Sequence, residues 1–426
     1  MHMNQPVRIV IVGMGQRSMI YARESLADPT LFKVVGVADT DPQRVRLAKE
    51  TFGLSDACCF SSVEALCAAP RFADAAINGT MDRQHVRTTI PLLRAGYDVL
   101  LEKPFAINQR EADMLLACAK ETGRRVMVCH VLRYAPFYRA VKEIIASGEI
   151  GRVMHADMLA QISYFHESVS FVRGKYASPE ICGSGLILSK CSHDLDLLSW
   201  LMQHDTPTGV SSVGSVFHYK PDMAPDGAGT RCLTDCLCER TCPYSAARLY
   251  IEHPQRWANI LWFGQTPPSD EEKRRLLADG QNPYGRCVFK CGLQIVDHQS
   301  VLISYTSGAT ATFSVNGGAS APARSLHITG TKGELYGVFE DERFTVSLVA
   351  PAAPGGKVTR TVDVSAAQHG NAHGGGDQLV IRDFIALITE QPVSPCVTTL
   401  DGSVTGHRLA FLAEDSRLSG GQMQPY

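Results

Sequence analysis

The residues best suited to proton chemistry stand in one segment, KCSHDLDLL, residues 190–198, whose leucines otherwise have the spacing of a buried helix. On a helix, Lys190 and His193 are three apart and share a face. A histidine with an ordinary pKa of about 6.5 can take a proton from a hydroxyl at neutral pH. The segment predicts an acid/base site with His193 as the base. Lys190 is its relay partner or a hydrogen-bond donor to substrate, and an ion pair with Asp194 is the structural alternative.

A second charged group, Lys103, follows a predicted strand in LLEKPFA, residues 100–106. The lysine comes directly after a glutamate, and Pro104 stops the strand behind it. The carboxyl ends of parallel strands face the crevice in which open α/β sheets bind ligands. The position therefore predicts a lysine at the edge of a binding crevice, and a solvated lysine at a strand end is the alternative.

The first predicted strand runs into GMGQRS, residues 13–18, which is typical of a dinucleotide-binding loop. Gly13 allows the tight turn, and Gly15 lets the backbone approach a pyrophosphate at the N-terminus of the following helix. Ser18 stands where a third glycine is usual. The motif predicts a nucleotide site at the end of the first strand.

Asp39 ends the second predicted strand, 24 residues after Gly15. A carboxylate at this position accepts hydrogen bonds from an adenosine ribose diol and repels a 2′-phosphate. The residue therefore favours NAD over NADP, although Arg44 could tolerate a phosphate. The alternative is that Asp39 only opens the turn DTDPQR.

The elements that position these residues fall into two parts. Over the first 130 residues, short β-branched runs alternate with helical patterns, which predicts a doubly wound parallel sheet of the Rossmann type with right-handed crossovers. Helices are expected to begin at Asp41 and Asn108 and to end at Gly53 and Gly123. The strands are expected at residues 7–13, 33–39, 74–79, 98–102 and 124–130.

From residue 131 onward, longer alternating runs predict an α+β domain with a large, mostly antiparallel sheet. Hairpins are expected at TSGAT, residues 306–310, and at TKGE, residues 331–334. A Cys- and Pro-rich insertion lies at about 219–292, with one helix at SDEEKRRLLADG. We therefore predict a dinucleotide-binding domain at 1–130 and a substrate-binding and oligomerisation domain at 131–426.

The composition narrows the classes of partner. The chain has 426 residues, 45% of them hydrophobic, and its 41 basic and 43 acidic residues leave a formal net charge of −2. No global field draws such a protein to nucleic acid or to an anionic membrane. The apolar segment from Val7 to Val12 is too short to span a bilayer. We expect a cytoplasmic protein with a small neutral or weakly charged ligand.

These motifs together resemble the Gfo/Idh/MocA oxidoreductases, which act on sugars and cyclitols with a tightly held nicotinamide cofactor. The resemblance covers nearly the whole chain and is carried by the glycine loop, NGTMDRQHV, GYDVLLEKPFA, VCHVLRYAPFYRAVKEII, GEIG and GSGLILSKCSHDLDLLSW. The Glu-Lys-Pro triplet is the most specific of them. The resemblance implies that Lys103 reaches the nicotinamide ribose and a substrate hydroxyl, where its charge can stabilise a developing alkoxide.

The chain departs from the family at the catalytic helix. The family carries Asp-x-Gly-x-His-x-x-Asp, and aligning its histidine with His193 and its last aspartate with Asp196 places Ser189 on the catalytic aspartate and Cys191 on the glycine. We keep His193 as the acid/base and take Lys190 as the candidate for the vacant role. Asp196 is expected to orient a neighbour.

The candidate site residues follow from these assignments. The cofactor contacts are expected from the glycine loop and the strand ends, namely Gly13, Gly15, Gln16, Arg17, Asp39, Thr80, His85, Glu102 and Lys103. The candidate substrate contacts are polar residues at the domain seam and in two later polar stretches, namely Arg133, Tyr134, Tyr176, His298, His373 and Asp377. Capping of a helix is the alternative role for Asp377.

Six cysteines are clustered in the insertion, in RCLTDCLCERTC and GRCVFKCG. In a chain that reads as cytoplasmic, such a cluster favours thiolate metal ligation over disulfides. We predict a structural zinc on Cys232, Cys236, Cys242 and Cys291, with Cys287 as an alternative to the last. An iron–sulfur cluster, a disulfide or simple packing are the other interpretations.

Three functions remain open. The first is NAD-dependent oxidation of a CH–OH carbon of a sugar, sugar derivative or cyclitol. The second, which the family resemblance also implies, is a redox-neutral glycosidase that oxidises C3, eliminates the aglycone, adds water and reduces the sugar again. The third is a catalytically silent cofactor-binding sensor. The family resemblance also implies a homodimer or homotetramer.

Overall fold

The computed structural model describes residues 5–252, 258–262, 266–367 and 373–426. Its first sheet is built from β1 (Val7–Val12), β2 (Phe32–Ala38), β3 (Cys59–Phe60), β4 (Ala75–Asn78), β5 (Asp98–Leu101) and β6 (Val126–Val128). The strand order is β3-β2-β1-β4-β5-β6, and every neighbouring pair is parallel. This is the predicted doubly wound sheet, and its order reverses between β1 and β4, where such sheets bind ligands.

The helices of this sheet are α1 (Gln16–Ala27), α2 (Pro42–Phe52), α3 (Val63–Ala68), α4 (His85–Arg94) and α5 (Gln109–Thr122). Their ends confirm the predicted signals. The side chain of Asp41 accepts a hydrogen bond from the Gln43 amide, and Asn108 caps α5 in the same way. Gly53 ends α2 in the left-handed conformation, with φ 66°.

The second sheet has nine strands among the described residues, in the order β14-β13-β12-β11-β7-β10-β9-β8-β15. The strands are β7 (Val153–Ser163), β8 (Pro207–Ser215), β9 (His298–Tyr305), β10 (Thr310–Ala319), β11 (Ala323–Gly330), β12 (Gly333–Val338), β13 (Arg343–Val349), β14 (Lys357–Asp363) and β15 (Gln424–Pro425). All neighbours are antiparallel except β7 and β10, and both predicted hairpins are present. The fold class predicted from the sequence is confirmed.

The helices of the second part are α6 (Pro136–Ser147), α7 (Tyr164–His166), α8 (Pro179–Cys182), α9 (Leu186–Ser189), α10 (Ser192–Leu201), α11 (Asp270–Ala278), α12 (Gly376–Ile388) and α13 (Leu400–Leu418). The predicted helix of the insertion is α11, which begins with a capping box between Ser269 and Glu272. Among the described helices, none combines the length and the apolar character needed to cross a membrane.

The segment that carries Lys190 and His193 is not one continuous helix, which corrects the prediction. Helix α9 ends at Ser189, and Cys191 is the N-terminal capping position of α10. Lys190 lies in the break between the two helices. The argument that three-residue spacing places Lys190 and His193 on one helical face therefore does not apply.

The last helix, α13, joins the two sheets. The backbone around Thr398 and Thr399 pairs with the edge strand β6 of the first sheet. Further along, His407 accepts a hydrogen bond from the amide of Phe105, just after β5, while α13 also packs on α10 and β8. One apolar core contains side chains of both sheets, including Ile9 and Phe313. The carboxyl end of β5 is thereby held against α9 and α10.

Candidate active site

The glycine loop lies between β1 and the first turn of α1. Gly13 has φ 77°, and a Cβ added there would stand 2.7 Å from the amide nitrogen of Thr80. Gly15 is the capping residue of α1, and no side chain caps the free amides of that helix end. The loop therefore presents unshielded N–H groups at a helix N-terminus, which is an anion-binding geometry. Gln16 is the first, exposed residue of that helix.

Ser18, in the place of the third glycine, has a local reason. Its hydroxyl donates to the carbonyl of Gly13 over 2.6 Å. The close approach that a third glycine usually allows is provided by Gly79, where an added Cβ would meet the Ser18 hydroxyl at 2.1 Å. The loop is compact because Gly79, after the facing strand β4, leaves room for the Ser18 side chain.

Asp39 lies beside the loop, at the end of β2. One carboxylate oxygen accepts a hydrogen bond from the amide of Met14 over 2.7 Å, and the other accepts from the amide of Asp41 over 2.8 Å. Arg44 approaches the same carboxylate at 4.0 Å. The carboxylate thus fixes both the glycine loop and the turn, and an ionised carboxylate has about four acceptor positions in all.

Arg17 and Glu102 form an ion pair with each other. The guanidinium contacts Glu102 at 2.8 Å and Asp377 at 2.6 Å, and the Tyr21 hydroxyl also donates to Glu102. Burial raises the pKa of Glu102, but the combined effect of Arg17, Lys103 and Tyr21 is larger, and the pKa of Glu102 is lowered. The cluster ties α1, β5 and α12 together below the crevice, so Arg17 and Glu102 hold the site's walls.

Thr80 and His85 connect the next two strand ends. The two ring nitrogens of His85 lie 2.6 Å from the carbonyl oxygen of Pro104 and 3.0 Å from that of Thr80. The hydroxyl of Thr80 lies 2.9 Å from the side-chain oxygen of Asn78. These contacts fix the Glu-Lys-Pro segment relative to the glycine loop.

Lys103 crosses the crevice from the first part of the chain to the second. Its Nζ donates to the main-chain oxygen of Ser189, the last residue of α9, over 2.9 Å. Within the part of the chain that the structure describes, this carbonyl is the one hydrogen-bond partner of the Lys103 side chain. Burial lowers the pKa of Lys103, against the opposing effect of Glu102. The ammonium thus contacts the carbonyl of the last residue of α9, Ser189, which aligns with the family's aspartate. The Ser189 hydroxyl donates to the carbonyl of Gly185 instead.

His193 lies beside this lysine and is 8% exposed. Its ring is 5.7 Å from that of His130 and 6.2 Å from that of His373, measured between centroids. Burial, with Lys103 and His130 as neighbours, lowers the pKa of His193 well below its usual value. The ring is therefore neutral at pH 7, which is the form that can accept a proton.

The ring of His407 lies 5.4 Å from that of His130, between centroids, and His407 is also held neutral. Its Nε2 accepts from the Phe105 amide over 3.1 Å, and burial lowers the pKa of His407 well below the usual value. The unfolded chain binds a proton near pH 6.5 and the folded chain does not, so stability is lost as pH falls. The free energy of unfolding of the wild type should therefore decrease between pH 7.5 and 5.5. We predict that this decrease is smaller by about 1.4 kcal/mol in His407→Gln.

The measurement is urea unfolding of the wild type and the variant at both pH values. His204→Gln, at an exposed position, is the control and should keep the full pH dependence. Equal pH dependence in the wild type and His407→Gln would contradict the neutral state of this histidine in the folded protein.

Lys190 is half-buried and does not form the alternative ion pair. Asp194 binds Arg324 instead, at 2.8 Å. Burial, with Arg324 and Lys103 nearby, lowers the pKa of Lys190 to about 8. A lysine with such a pKa carries a substantial fraction of free amine near neutral pH.

Two of the candidate substrate residues have partners within the protein. Arg133 is buried and binds Asp196 through two hydrogen bonds of 2.7 and 2.6 Å. The hydroxyl of Tyr134 is 3.0 Å from a carboxylate oxygen of Asp383. The structure thus places both side chains in internal contacts, and Asp196 orients Arg133.

The other candidates lie around the crevice in different ways. Tyr176 is half-buried against Phe171. His373 lies 3.0 Å from Asp377, which also binds Arg17, so this pair is close to both His193 and the glycine-loop helix. His298 is the first residue of β9, and its ring nitrogen lies 2.9 Å from the carboxylate of its neighbour Asp297.

The cysteines of the insertion converge on one small cavity. The cavity has a volume of about 10 Å³ and is lined by Cys232, Cys236, Cys238, Cys242 and Cys287. The sulfurs of Cys236 and Cys238 are 3.5 Å apart, and all the cysteines that the structure describes are free thiols.

The predicted zinc set is not supported. No group of three or more Cys, His, Asp or Glu side chains is placed to hold a metal ion within residues 5–252, 258–262, 266–367 and 373–426. The guanidinium of Arg173 approaches Cys232 at 3.4 Å, and Cys291 donates to the Cys287 carbonyl instead of pointing to Cys236 and Cys242.

Sequence reasoning missed several buried polar residues at the site. Arg324 reaches Asp194 from β11. The His130 ring is 5.7 Å from that of His193, between centroids, and its Nε2 is 3.6 Å from a carboxylate oxygen of Asp196. Glu167 is fully buried next to Lys190. The one signal for Glu167 was that this acidic residue directly precedes the run SVSFV. Periodicity alone does not show whether such a residue is buried.

Two family models match the chain. The NAD-binding Rossmann domain of the Gfo/Idh/MocA oxidoreductases matches residues 7–130, and the C-terminal domain of the same family matches residues 138–234. A putative oxidoreductase, YteT, of Bacillus subtilis strain 168 is 27% identical over 400 residues, 88% of either chain. An inositol 2-dehydrogenase of Burkholderia lata is 26% identical over 200 residues, 47% of this chain and 55% of that protein.

Solved structures share the fold. A levoglucosan dehydrogenase in complex with NADH and levoglucosan superposes with a TM-score of 0.71 at 16% identity, covering 99% of both chains. An inositol dehydrogenase homologue from Azotobacter vinelandii with NAD⁺ gives a TM-score of 0.69 at 16% identity, covering both chains in full. At this identity the likeness concerns the fold alone.

The Rossmann sheet, the glycine loop and the lysine at the end of β5 define a nicotinamide-dependent oxidoreductase. The two matched domains cover more than half of the chain, and the chain belongs to the Gfo/Idh/MocA family of NAD(P)-dependent oxidoreductases.

The residues present fit the nicotinamide cofactor. A pyrophosphate needs close approach to backbone amides, and Gly13 leaves a space that a Cβ would fill against Thr80. We predict that Gly13→Ala weakens NADH binding by about 10- to 100-fold, because the backbone strain and the clash together cost about 1–3 kcal/mol.

NADH fluorescence titration measures this effect. Gly53→Ala is a matched control, since Gly53 also has positive φ, 66°, but nothing lies within 4 Å of its added Cβ. Both variants lose stability through backbone strain, and Gly13→Ala alone should lose affinity. Equal NADH affinities of the two variants would contradict a cofactor at the loop.

Proposed function

We propose that the protein oxidises a CH–OH group of a sugar, a sugar derivative or a cyclitol with NAD as the acceptor. The observation that carries this proposal is the half-buried ammonium of Lys103, which donates to the neutral carbonyl of Ser189 at 2.9 Å. Its charge is not consumed by an ion pair among the described residues. It is therefore available to an alkoxide that forms beside it.

The chain's own residues account for the proton. As the substrate C–H bond breaks, its electron pair leaves as hydride, the C–O bond becomes a carbonyl, and the hydroxyl proton passes to the neutral ring of His193. The bound nicotinamide supplies the hydride acceptor. Lys103 stabilises the negative charge that develops on the oxygen, and Arg17, Glu102 and Asp377 hold the wall of the crevice.

The choice of NAD over NADP rests on Asp39. Its carboxylate stands where an adenosine ribose binds in this fold, and it repels a 2′-phosphate. Arg44, at 4.0 Å from the carboxylate, is the group that would moderate this preference. Titration with NADH and NADPH compares the two affinities directly.

The test of the reaction is an assay of the purified protein with NAD⁺ and a panel of free sugars, cyclitols and nitrophenyl glycosides. Nicotinamide absorbance and phenol release are followed in the same cuvette. Accumulation of NADH with a free sugar or cyclitol is the expected result. Absence of NADH and of phenol over the whole panel, with NADH binding intact, would overturn the proposal.

A second candidate is a redox-neutral glycosidase, and the lowered pKa of Lys190, about 8, favours it. In that reaction a sugar oxidised at C3 loses its C2 proton to a base, the C1–O bond to the aglycone breaks, water adds at C1, and the carbonyl is reduced again. Such a reaction needs a second base besides His193, and Lys190 is half-buried beside Lys103. Phenol release without net NADH would identify this function.

The homodimer or homotetramer predicted above is tested by light scattering on the purified chain. The small-molecule carbohydrate partner is tested by the substrate panel itself.

A further inference from the structure

The insertion contains a pair of cysteines whose sulfurs are in contact. Cys236 and Cys238 are separated by one residue, and their Sγ atoms lie 3.5 Å apart. Among the residues that the structure describes, they are the one pair of cysteines joined by a hydrogen bond between sulfurs. Leu237 between them is 90% exposed and does not line the cysteine cavity. The two thiols therefore share one side of the loop, and the leucine takes the other.

The pair can be reached from solvent. Cys236 and Cys238 are half-buried, whereas Cys232 and Cys287, which line the same cavity, are buried. A thiol takes part in disulfide exchange only where the reagent can reach its sulfur. The pair thus combines two properties that exchange requires, a sulfur partner in contact and access from outside.

The other thiols of the cluster have different surroundings. Cys232 accepts a hydrogen bond from the guanidinium of Arg173 over 3.4 Å, and Cys291 donates to the main-chain oxygen of Cys287 over 3.1 Å. Cys242 is half-buried, but within the described residues it has no hydrogen bond to another sulfur. The cavity volume of about 10 Å³ is that of about one water molecule, so a bulky group cannot enter.

The backbone holds the pair in this arrangement. The amide of Leu237 donates to the carbonyl of Gly227 over 2.9 Å. The carbonyl of Cys238 accepts from the amides of Thr241 and Cys242 over 3.1 and 3.0 Å. Because these bonds fix the loop on both sides of the thiols, the sulfurs meet through the folded backbone and not by chance rotation of free side chains.

The two sulfurs have different protonation. Burial, and then the hydrogen bond with Cys236, raise the pKa of Cys238 to about 11. Cys238 therefore keeps its proton at neutral pH and donates it toward the sulfur of Cys236. Since the thiolate and not the thiol is the nucleophile, Cys236 is the sulfur that attacks and Cys238 the one that resolves.

We propose that Cys236 and Cys238 form a reversible dithiol–disulfide site whose substrate is a small disulfide of the glutathione type. Neither Lys103 nor His193 lines its cavity, and the proposal does not depend on the proposed function.

The exchange takes place in two steps. The Cys236 thiolate attacks one sulfur of the small disulfide, whose S–S bond breaks, so that a mixed disulfide forms and one small thiolate leaves. Cys238 then gives its proton to solvent and attacks the Cys236 sulfur, and the second small thiolate leaves. Two electrons pass from the protein sulfurs to the small disulfide. The two leaving thiolates take up the two protons that the pair has lost.

A disulfide across one residue differs from a structural cross-link. The loop that it closes is very short, so the bond removes little conformational entropy from the unfolded chain. Its exposed position also makes it accessible to reduction. We therefore expect the pair to equilibrate with small thiols and disulfides, with little change in the stability of the fold.

The first experiment measures the redox state of the pair in the whole chain with NAD bound. The protein is equilibrated with mixtures of reduced and oxidised glutathione, and free thiols are alkylated before digestion. Cleavage before Asp235 and after Arg240 gives DCLCER, residues 235–240, which contains both cysteines and no others. Mass spectrometry should find two alkyl groups on this peptide in reducing mixtures. In oxidising mixtures it should find none, and a mass lower by two hydrogen atoms than that of the dithiol.

Dithiothreitol should restore both alkylation sites of the oxidised pair. Two free thiols in every glutathione mixture would overturn the proposal. A disulfide from either cysteine to Cys232 or Cys242 would also overturn it, because the contact between Cys236 and Cys238 would then not decide the product.

Cys58 and Cys59 are a matched control within the same chain. They are adjacent and half-buried, but both sulfurs bond to Ser55, whose hydroxyl donates to Cys58 and whose carbonyl accepts from Cys59. They should remain free thiols in the mixture that oxidises half of the Cys236–Cys238 pair. Equal oxidation of both pairs would mean that exposure alone decides, and would overturn the site.

Two variants test the separate roles of the sulfurs. In Cys238→Ser, Cys236 should react with oxidised glutathione and stop as a mixed disulfide, because the resolving thiol is absent. In Cys236→Ser, thiol loss at Cys238 should be about 10-fold slower, because a protonated thiol is a poor nucleophile. Serine is close in size to cysteine, so both variants keep the loop. Equal rates in the two variants would overturn the assigned order of attack.

Discussion

Replacement of Lys103 by methionine should lower the rate of hydride transfer by about 100- to 1,000-fold, because loss of one preorganised donor to a developing oxyanion has an effect of that size. The ammonium is half-buried and binds the Ser189 carbonyl at 2.9 Å. Methionine fills the same space but leaves the developing substrate alkoxide without a counter-charge. NADH should still bind through the glycine loop. Pre-steady-state absorbance measures the rate, and NADH fluorescence measures the binding.

Lys120→Met is the matched control, since Lys120 is exposed on α5. An unchanged rate in Lys103→Met would mean that the charge has no part in catalysis. A wild type that binds NADH but turns over no member of the panel would support the third function, a silent sensor. The experiment thus separates a catalytic lysine from a lysine that only joins β5 to α9.

Local signals in the sequence were sufficient for much of the first domain. Asp41 and Asn108 cap their helices with their own side chains, and Gly53 and Gly123 end them, so each boundary depends on a few neighbouring residues. The glycine loop is recognisable from its own residues, although Asp39 and Thr80, which hold it in place, are distant in the sequence. The helix ends are predictable since the interactions that create them lie close together in the chain.

The arrangement of the active site depends on contacts between distant residues. Lys103 and Ser189 are 86 positions apart, and the bond between them uses a backbone carbonyl that no side-chain pattern reveals. The break at Lys190 was missed because the leucine spacing continues through it. The buried place of Glu167 was missed because it depends on Gly317 of β10 and on Asp297 just before β9, which are distant in the sequence.

The cysteine insertion illustrates a different limit. The spacing of its cysteines favoured a metal site, and the sulfurs do gather around one cavity. Spacing cannot register that Arg173 also enters this cavity and approaches Cys232. A guanidinium is always positively charged. Its presence in the cavity therefore disfavours a metal cation there.

Removal of the Asp196 carboxylate by alanine should destabilise the fold by about 3–5 kcal/mol, which is the usual cost of leaving one partner of a buried ion pair uncompensated. Arg133 and Asp196 are both buried and joined by two hydrogen bonds of 2.7 and 2.6 Å. After the change, the guanidinium keeps the carbonyl of Gly402 as an acceptor, at 3.0 Å, but no counter-charge. Urea unfolding measures the loss.

Two variants distinguish loss of charge balance from loss of volume. In Arg133→Met with Asp196→Leu, both charges are absent, and most of the stability should return because apolar side chains of similar size replace a buried ion pair at little cost. Asp56→Ala breaks an exposed ion pair with Lys49 and should cost far less stability than Asp196→Ala, because water screens this pair. A small effect of Asp196→Ala would mean that water reaches Arg133. A large effect that the double variant restores would show that Asp196 acts through charge, which fits a residue that orients Arg133 next to His130.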